Sequence, residues 1–129
     1  MLKLAIVGSH KLTAEQTATA VILVNGIISV YRESLMGADL SPLTIVSGGA
    51  SGVDTIAEHI AVQLGLSTEI YHPAHPQWEP KGYKDRNVRI AESCDELWCI
   101  RARDTTTGGS QFTANHARAL GKTVHQCWI

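Results

Sequence analysis

The chain has 129 residues, 44% hydrophobic and 18% charged, ordinary proportions for a globular domain with a core of its own. Eleven Lys and Arg against twelve Asp and Glu give a formal net charge of −1, so the basic surplus typical of proteins that coat nucleic acid is missing. The first residues carry no basic-then-apolar leader pattern and no apolar stretch reads as membrane-spanning, so a cytoplasmic protein with no membrane partner is expected.

Leu2 to Val7 is almost continuously apolar and predicts a buried parallel strand, ended by Gly8-Ser9-His10. Thr13 and Gln16 have the spacing of a capping box, so a long helix is expected to about Leu35. Val21, Val24, Ile28, Tyr31 and Leu35 keep helical spacing along it, and Gly26 weakens it locally. Gly37 to Pro42 reads as a loop, and Leu43 to Val46 as a second strand. That strand breaks into Ser47-Gly48-Gly49-Ala50-Ser51-Gly52-Val53-Asp54. Val53, Ile56, Ala57, Ile60, Ala61 and Leu64 then keep a helical period, and Gly65 stops it. A Gly-rich turn between strand and helix brings backbone N–H groups and a positive dipole end together, which favours an anion.

Ser67 to Tyr71 predicts a short third strand. His72 to Pro80 carries three prolines and cannot be regular structure. Pro73 and Pro76 keep His72 and His75 off a helix and no third ligand is evident, so no metal is expected there. A helix over about Gly82 to Ser93 follows, with Arg86 and Asn87 near its start. Glu96 to Ile100 is the fourth strand and Arg101 to Gly109 a polar loop. Ser110 is expected to cap a last helix that Gly121 stops, and Lys122 to Cys127 is the fifth strand. Cys94, Cys99 and Cys127 form no CxxC; Cys99 and Cys127 lie in apolar, strand-like stretches and read as small core residues of a reducing compartment.

Regular β-α alternation predicts a single Rossmann-like α/β domain over 1–129, three-layered, with a five-stranded parallel sheet of order 3-2-1-4-5. Ligands of such sheets bind beyond the carboxyl ends of the strands, near the switch between strands one and four. Four connections crowd that edge. They supply the expected ligand contacts Gly8, Ser9 and His10; Gly48, Gly49, Ala50, Gly52 and Asp54; Trp78, which can stack on a base; Arg86, which can neutralise a phosphate, with Asn87; and Gly108, Gly109, Ser110 and Thr113. The spacing is neither G-x-G-x-x-G nor the P-loop pattern. Asp54 and Glu58, one helical turn apart, are the candidate catalytic carboxylates.

Taken together, Gly8-Ser9, Ser47 to Asp54, Pro73-Ala74, Arg86-Asn87 with Ile90-Ala91, and Gly108-Gly109-Ser110 with Thr113-Ala114 resemble the SLOG superfamily. That Rossmann-like group includes the LOG-type phosphoribohydrolases and DNA-processing protein A, and the small stand-alone YspA/YpsA-like branch looks closest. The resemblance implies a nucleotide-derived ligand, and in some members cleavage of an N-glycosidic bond. LOG-type enzymes carry P-G-G-x-G-T-x-x-E, and the position of their catalytic Glu is Asn115 here, which cannot act as acid or base. His10 stands where an Arg often follows Gly-Ser.

Three functions follow from these residues: binding of a nucleotide-like small molecule by a sensor or carrier, an N-glycosidic hydrolase or transferase acting on a nucleotide derivative, and single-stranded DNA binding. The near-neutral charge counts against nucleic acid as partner. No cofactor is expected. The long apolar helix points to a homo-oligomer, as does the resemblance.

Overall fold

The computed structural model describes residues 2–36 and 43–129. The loop expected over Gly37 to Pro42 lies outside the described residues. Nine elements alternate: β1 (Leu2–Gly8), α1 (Ala14–Met36), β2 (Leu43–Ser47), α2 (Val53–Gln63), β3 (Ser67–Ile70), α3 (Tyr83–Ser93), β4 (Glu96–Arg101), α4 (Gly109–Ala119) and β5 (Thr123–Trp128). The strands form one sheet of order β3-β2-β1-β4-β5, and every pairing is parallel. Class and strand order match the α/β alternation read from sequence.

Period-two alternation along β1 splits the core into two layers. Leu4 and Ile6 point to one face, where they meet Ile45, Ile100, Val24, Ile27 and Ile28 of α1 and Val53, Ala57 and Ile60 of α2. Ala5 and Val7 point to the other, where they meet Val46, Leu97, Cys99, Ile90 and Ala91 of α3 and Ala114 and Ala117 of α4. Both faces of β1 are therefore covered, which is why its sequence reads as one apolar run. Each fully buried Leu or Ile contributes roughly 1.5–3 kcal/mol of transfer free energy. Cys94 and Cys99 are buried free thiols whose pKa burial pushes up, and Cys127 is a half-buried one.

The start of α1 is a reciprocal capping box. The Thr13 N–H donates to Gln16 Oε1 (2.9 Å) and the Gln16 N–H donates to Thr13 Oγ1 (3.1 Å). The expectation that no apolar stretch is of membrane-spanning length is corrected on this helix: Ala14–Leu35, 22 residues, is long and apolar enough to cross a membrane by length and composition alone. Asn25, Gly26 and Ser29 interrupt the apolar pattern and hide this in the sequence. Its inner residues Ala20, Val24, Ile27 and Ile28 pack into the core, while 22% of its apolar window is buried. Outward, Ile22 and Val30 are 75% and 61% exposed.

Gly26 sits in the middle of α1, and a Cβ there would meet nothing within 4 Å. Ala loses less backbone entropy in a helix than Gly. Gly26→Ala should therefore stabilise the fold by about 0.5–1 kcal/mol, read as a higher midpoint in urea with an unchanged slope.

Candidate functional site

At the carboxyl edge of the sheet, beside the β1–β4 switch, lies a cavity of about 640 Å³. Its walls come from four strand-to-helix connections. Gly8 and His10 arrive from β1. Gly48, Gly49, Ala50, Ser51 and Asp54 arrive from β2. His72, Pro73 and Trp78 arrive from β3, continuing into Tyr83, Arg86 and Asn87 of α3. Thr107, Gly108, Gly109, Ser110 and Thr113 arrive from β4.

The floor is held by one buried chain of hydrogen bonds. Arg86, only 9% exposed, donates from Nη1 to the Gly48 carbonyl and from Nε to Asn87 Oδ1 (2.7 Å). Asn87 Nδ2 donates in turn to the Gly109 carbonyl (3.3 Å). The β2–α2 turn and the start of α4 are thereby tied through two adjacent side chains of α3. Asp54 closes the chain from the other side. Its Oδ2 accepts the Gly48 N–H (3.1 Å) and the Ala50 N–H (3.4 Å). A Cβ on Gly48 would lie 2.8 Å from Arg86 Nη1 and 2.9 Å from Asp54 Oδ2, so only glycine fits between the two charges.

Burial pushes the Asp54 carboxyl up to about 7, outweighing the Arg86 guanidinium and the two turn N–H groups that favour its ionised form. Burial also lowers the Arg86 pKa from its ordinary value, opposed by Asp54.

The four helix N-termini are satisfied unequally. α1 has its capping box. At α2, the Val53 N–H donates to the Ser9 carbonyl (3.2 Å), and Asp54 places a carboxylate in the first turn. At α3, the Tyr83 and Lys84 N–H groups donate to the Gln77 and Trp78 carbonyls (2.7 and 3.0 Å), which ties the proline-rich loop down. α4 begins at Gly109 with Gly108 as N-cap. It has neither a side-chain cap nor an acid in its first turn, and it opens into the cavity.

Two expected ligand contacts, Ser9 and Gly52, and one candidate catalytic carboxylate, Glu58, are placed otherwise. Ser9 is buried away from the cavity lining; its hydroxyl accepts the Ala102 N–H (2.9 Å) and its N–H donates to the Ile100 carbonyl (3.1 Å), which joins the ends of β1 and β4. Gly52 has φ 77°, and a Cβ there would lie 2.3 Å from the Ser9 carbonyl oxygen, so this glycine admits neighbouring backbone rather than a ligand. Glu58 is not in the cavity lining; it accepts the hydroxyl of fully buried Ser47 (2.7 Å). Ser110, expected as a cap, sits inside the first turn of α4. Asn115 is exposed and outside the lining, its Oδ1 bonded to Gln111 and Arg118.

Some site residues carry no clear signal in the sequence. Tyr83 lies 5.4 Å from the Arg86 guanidinium. Arg101, 8% exposed, donates from Nη2 to the Thr107 carbonyl and from Nη1 to Gln111 Oε1 (3.3 Å), which fixes the loop that leads into α4. Trp78 stands edge-on to Phe112 with ring centroids 5.1 Å apart, a half-exposed wall at the mouth.

No family model matches the chain, and no curated protein matches it. An X-ray structure of DNA processing protein A from Streptococcus pneumoniae superposes on 97% of this chain with a TM-score of 0.70 and 23% sequence identity. The present chain spans 50% of that protein's length. The likeness shows a shared fold.

The Asp54 environment sets a pH dependence. Unfolded, the carboxyl ionises in its usual range near ~3.9; folded, it keeps its proton to about 7. Its contribution to stability is therefore complete below the usual carboxylate range and is lost as pH rises through about 7. Urea denaturation should find the wild type less stable at pH 8 than at pH 5, relative to Asp54→Asn, by at least ~1 kcal/mol. Sulfate, whose charge is constant over this range, should bind more weakly at pH 8, because ionised Asp54 then opposes Arg86.

Proposed function

We propose that the cavity binds the phosphate of a nucleotide or nucleotide-derived small molecule, as a sensor or carrier does. The observation that carries this reading is the uncapped N-terminus of α4. Gly108-Gly109-Ser110 offer backbone N–H groups and a positive dipole end to the cavity, and no described residue accepts from them. Arg86 adds positive charge to the floor. Trp78 and Tyr83, 40% and 37% exposed, give aromatic faces on which a base can stack. Within this proposal the chain is a SLOG-type protein of the YspA/YpsA-like branch, and the phosphate lies against α4 rather than the β2–α2 turn.

A second reading is enzymatic, cleavage or transfer at an N-glycosidic bond. It is favoured by Asp54, a cavity carboxyl whose pKa burial has raised towards neutrality. Such a reaction needs a carboxylate near the anomeric carbon. Against it, Asp54 already accepts two turn N–H groups, and Glu58 is bonded to Ser47 and does not line the cavity. Product analysis after incubation with nucleoside monophosphates separates the two readings, since a sensor or carrier binds without turnover.

Gly49→Val would be a poor probe of the site, because Gly49 has φ 71° and a Cβ there would lie 2.8 Å from the His72 ring. Gly108 has φ −119° and nothing within 4 Å of a built Cβ. Gly108→Val should fold like the wild type, with a thermal midpoint within a few degrees. Its affinity for adenosine monophosphate should fall at least tenfold in calorimetry, because the new side chain fills the anion's place. Unchanged affinity would remove α4 from the site.

We also propose that a second copy of the chain covers the outer face of α1, where Ile22 and Val30 lie four residues either side of Gly26. A two-fold axis at Gly26 would set Ile22 against Val30 of the other copy. Sedimentation should find a dimer for the wild type and a monomer for Ile22→Asp.

A further inference from the structure

A smaller cleft of about 220 Å³ adjoins the main cavity, and His72, Pro73 and Arg86 line both. Permanent charge is unevenly divided between them. The main cavity holds one arginine, Arg86, opposed by Asp54, and no lysine. Two of its guanidinium nitrogens already donate to Asn87 and Gly48. The side cleft adds Lys81 and Arg89 against a single acid, Asp85. Neither cation forms an ion pair with a described residue, and Arg89 lies over the Tyr71 ring at 4.8 Å. In a chain of formal net charge −1 this is a local positive surplus.

The backbone adds an independent observation. Lys81 has φ 56°, the one positive value among the described non-glycine residues. Lysine rarely adopts that conformation, and strain of this kind gathers at ligand clamps. The Lys81 carbonyl accepts the His75 N–H (3.2 Å), which folds the proline-rich loop back over the cleft.

We infer that the ligand carries a second phosphate group, held in this cleft by Lys81 and Arg89. The inference rests on the nucleotide reading above and narrows it. The first phosphate meets α4; the second passes the Arg86 wall to the two unpaired cations. The ligand class is then a nucleotide with at least two phosphates, linked as a pyrophosphate or through a phosphodiester. An ammonium on a flexible stem and a planar guanidinium are well suited to phosphate oxygens.

Calorimetry with adenosine monophosphate, adenosine diphosphate and a 5′-phosphorylated deoxyadenosine dinucleotide tests this on the wild type and on the double variant Lys81→Asn, Arg89→Gln. Asn tolerates positive φ, so the loop keeps its path. The wild type should bind the diphosphate or the dinucleotide at least tenfold more tightly than the monophosphate, and whichever gains identifies the linkage. In the variant that preference should shrink below threefold, while monophosphate affinity moves by less. Equal affinity for all three probes in the wild type, or a preference that survives in the variant, would overturn the inference and leave the main-cavity reading standing. Failure of all three probes to bind the wild type would overturn both.

Discussion

Everything at the carboxyl edge depends on a buried arginine. Arg86 is taken out of water on α3, where a lone charge is costly, and it is compensated by a carbonyl, an amide and the nearby Asp54 carboxyl. Removing one member of such a buried arrangement typically costs about 3–5 kcal/mol, because the remainder is left unpaired. The same bonds set geometry. Gly48 and Gly109 belong to turns from strands on opposite sides of β1, and Arg86 with Asn87 holds them at a fixed separation. The width of the cavity between those turns follows from two side chains of one helix.

This arrangement divides the labour between the two Gly-rich turns. The β2–α2 turn satisfies much of its own backbone: Asp54 takes the Gly48 and Ala50 N–H groups, Ser47 Oγ takes that of Gly49 (3.4 Å), and the Ser9 carbonyl takes that of Val53. Its glycines let backbone approach backbone. The β4–α4 turn is held from behind by Arg101 and Asn87 through carbonyls, which leaves its N–H groups facing the cavity. A helix dipole stabilises an anion by ~0.3–1 kcal/mol at an exposed end and by more where the geometry is partly buried. Among the four described helices α4 has neither a side-chain cap, an acid nor an outside acceptor in its first turn, so its dipole end adds to Arg86 in the field the cavity offers an anion.

Much of the fold was legible because local signals agreed. The apolar run of Leu2 to Val7, the Thr13–Gln16 capping box, and Gly65 and Gly121 just past the ends of α2 and α4, with φ 71° and 81°, each have one structural solution. The candidate site was legible as a set of converging loops but not as a set of roles. A glycine needed for a ligand and a glycine needed for another strand look alike in sequence, and Gly52 proves to be the second kind. Ser9 and Glu58 resemble site residues by position, yet each is occupied by a long-range partner that only the fold supplies, Ala102 for one and Ser47 for the other. Arg101 and Tyr83 are silent in the sequence for the converse reason. Nothing near them in the chain marks them, and their neighbours at the site come from the packing of α3 and β4 against the adjoining loops.

The central claim is that α4, and not the β2–α2 turn, meets the anion. Amide chemical shifts of the ¹⁵N-labelled protein during titration with adenosine monophosphate test it most directly. The Gly109, Ser110 and Gln111 amides should move furthest, while the Gly48 and Ala50 amides, held by Asp54, should move little. Largest shifts at Gly48 to Ala50 with α4 unmoved would contradict the account.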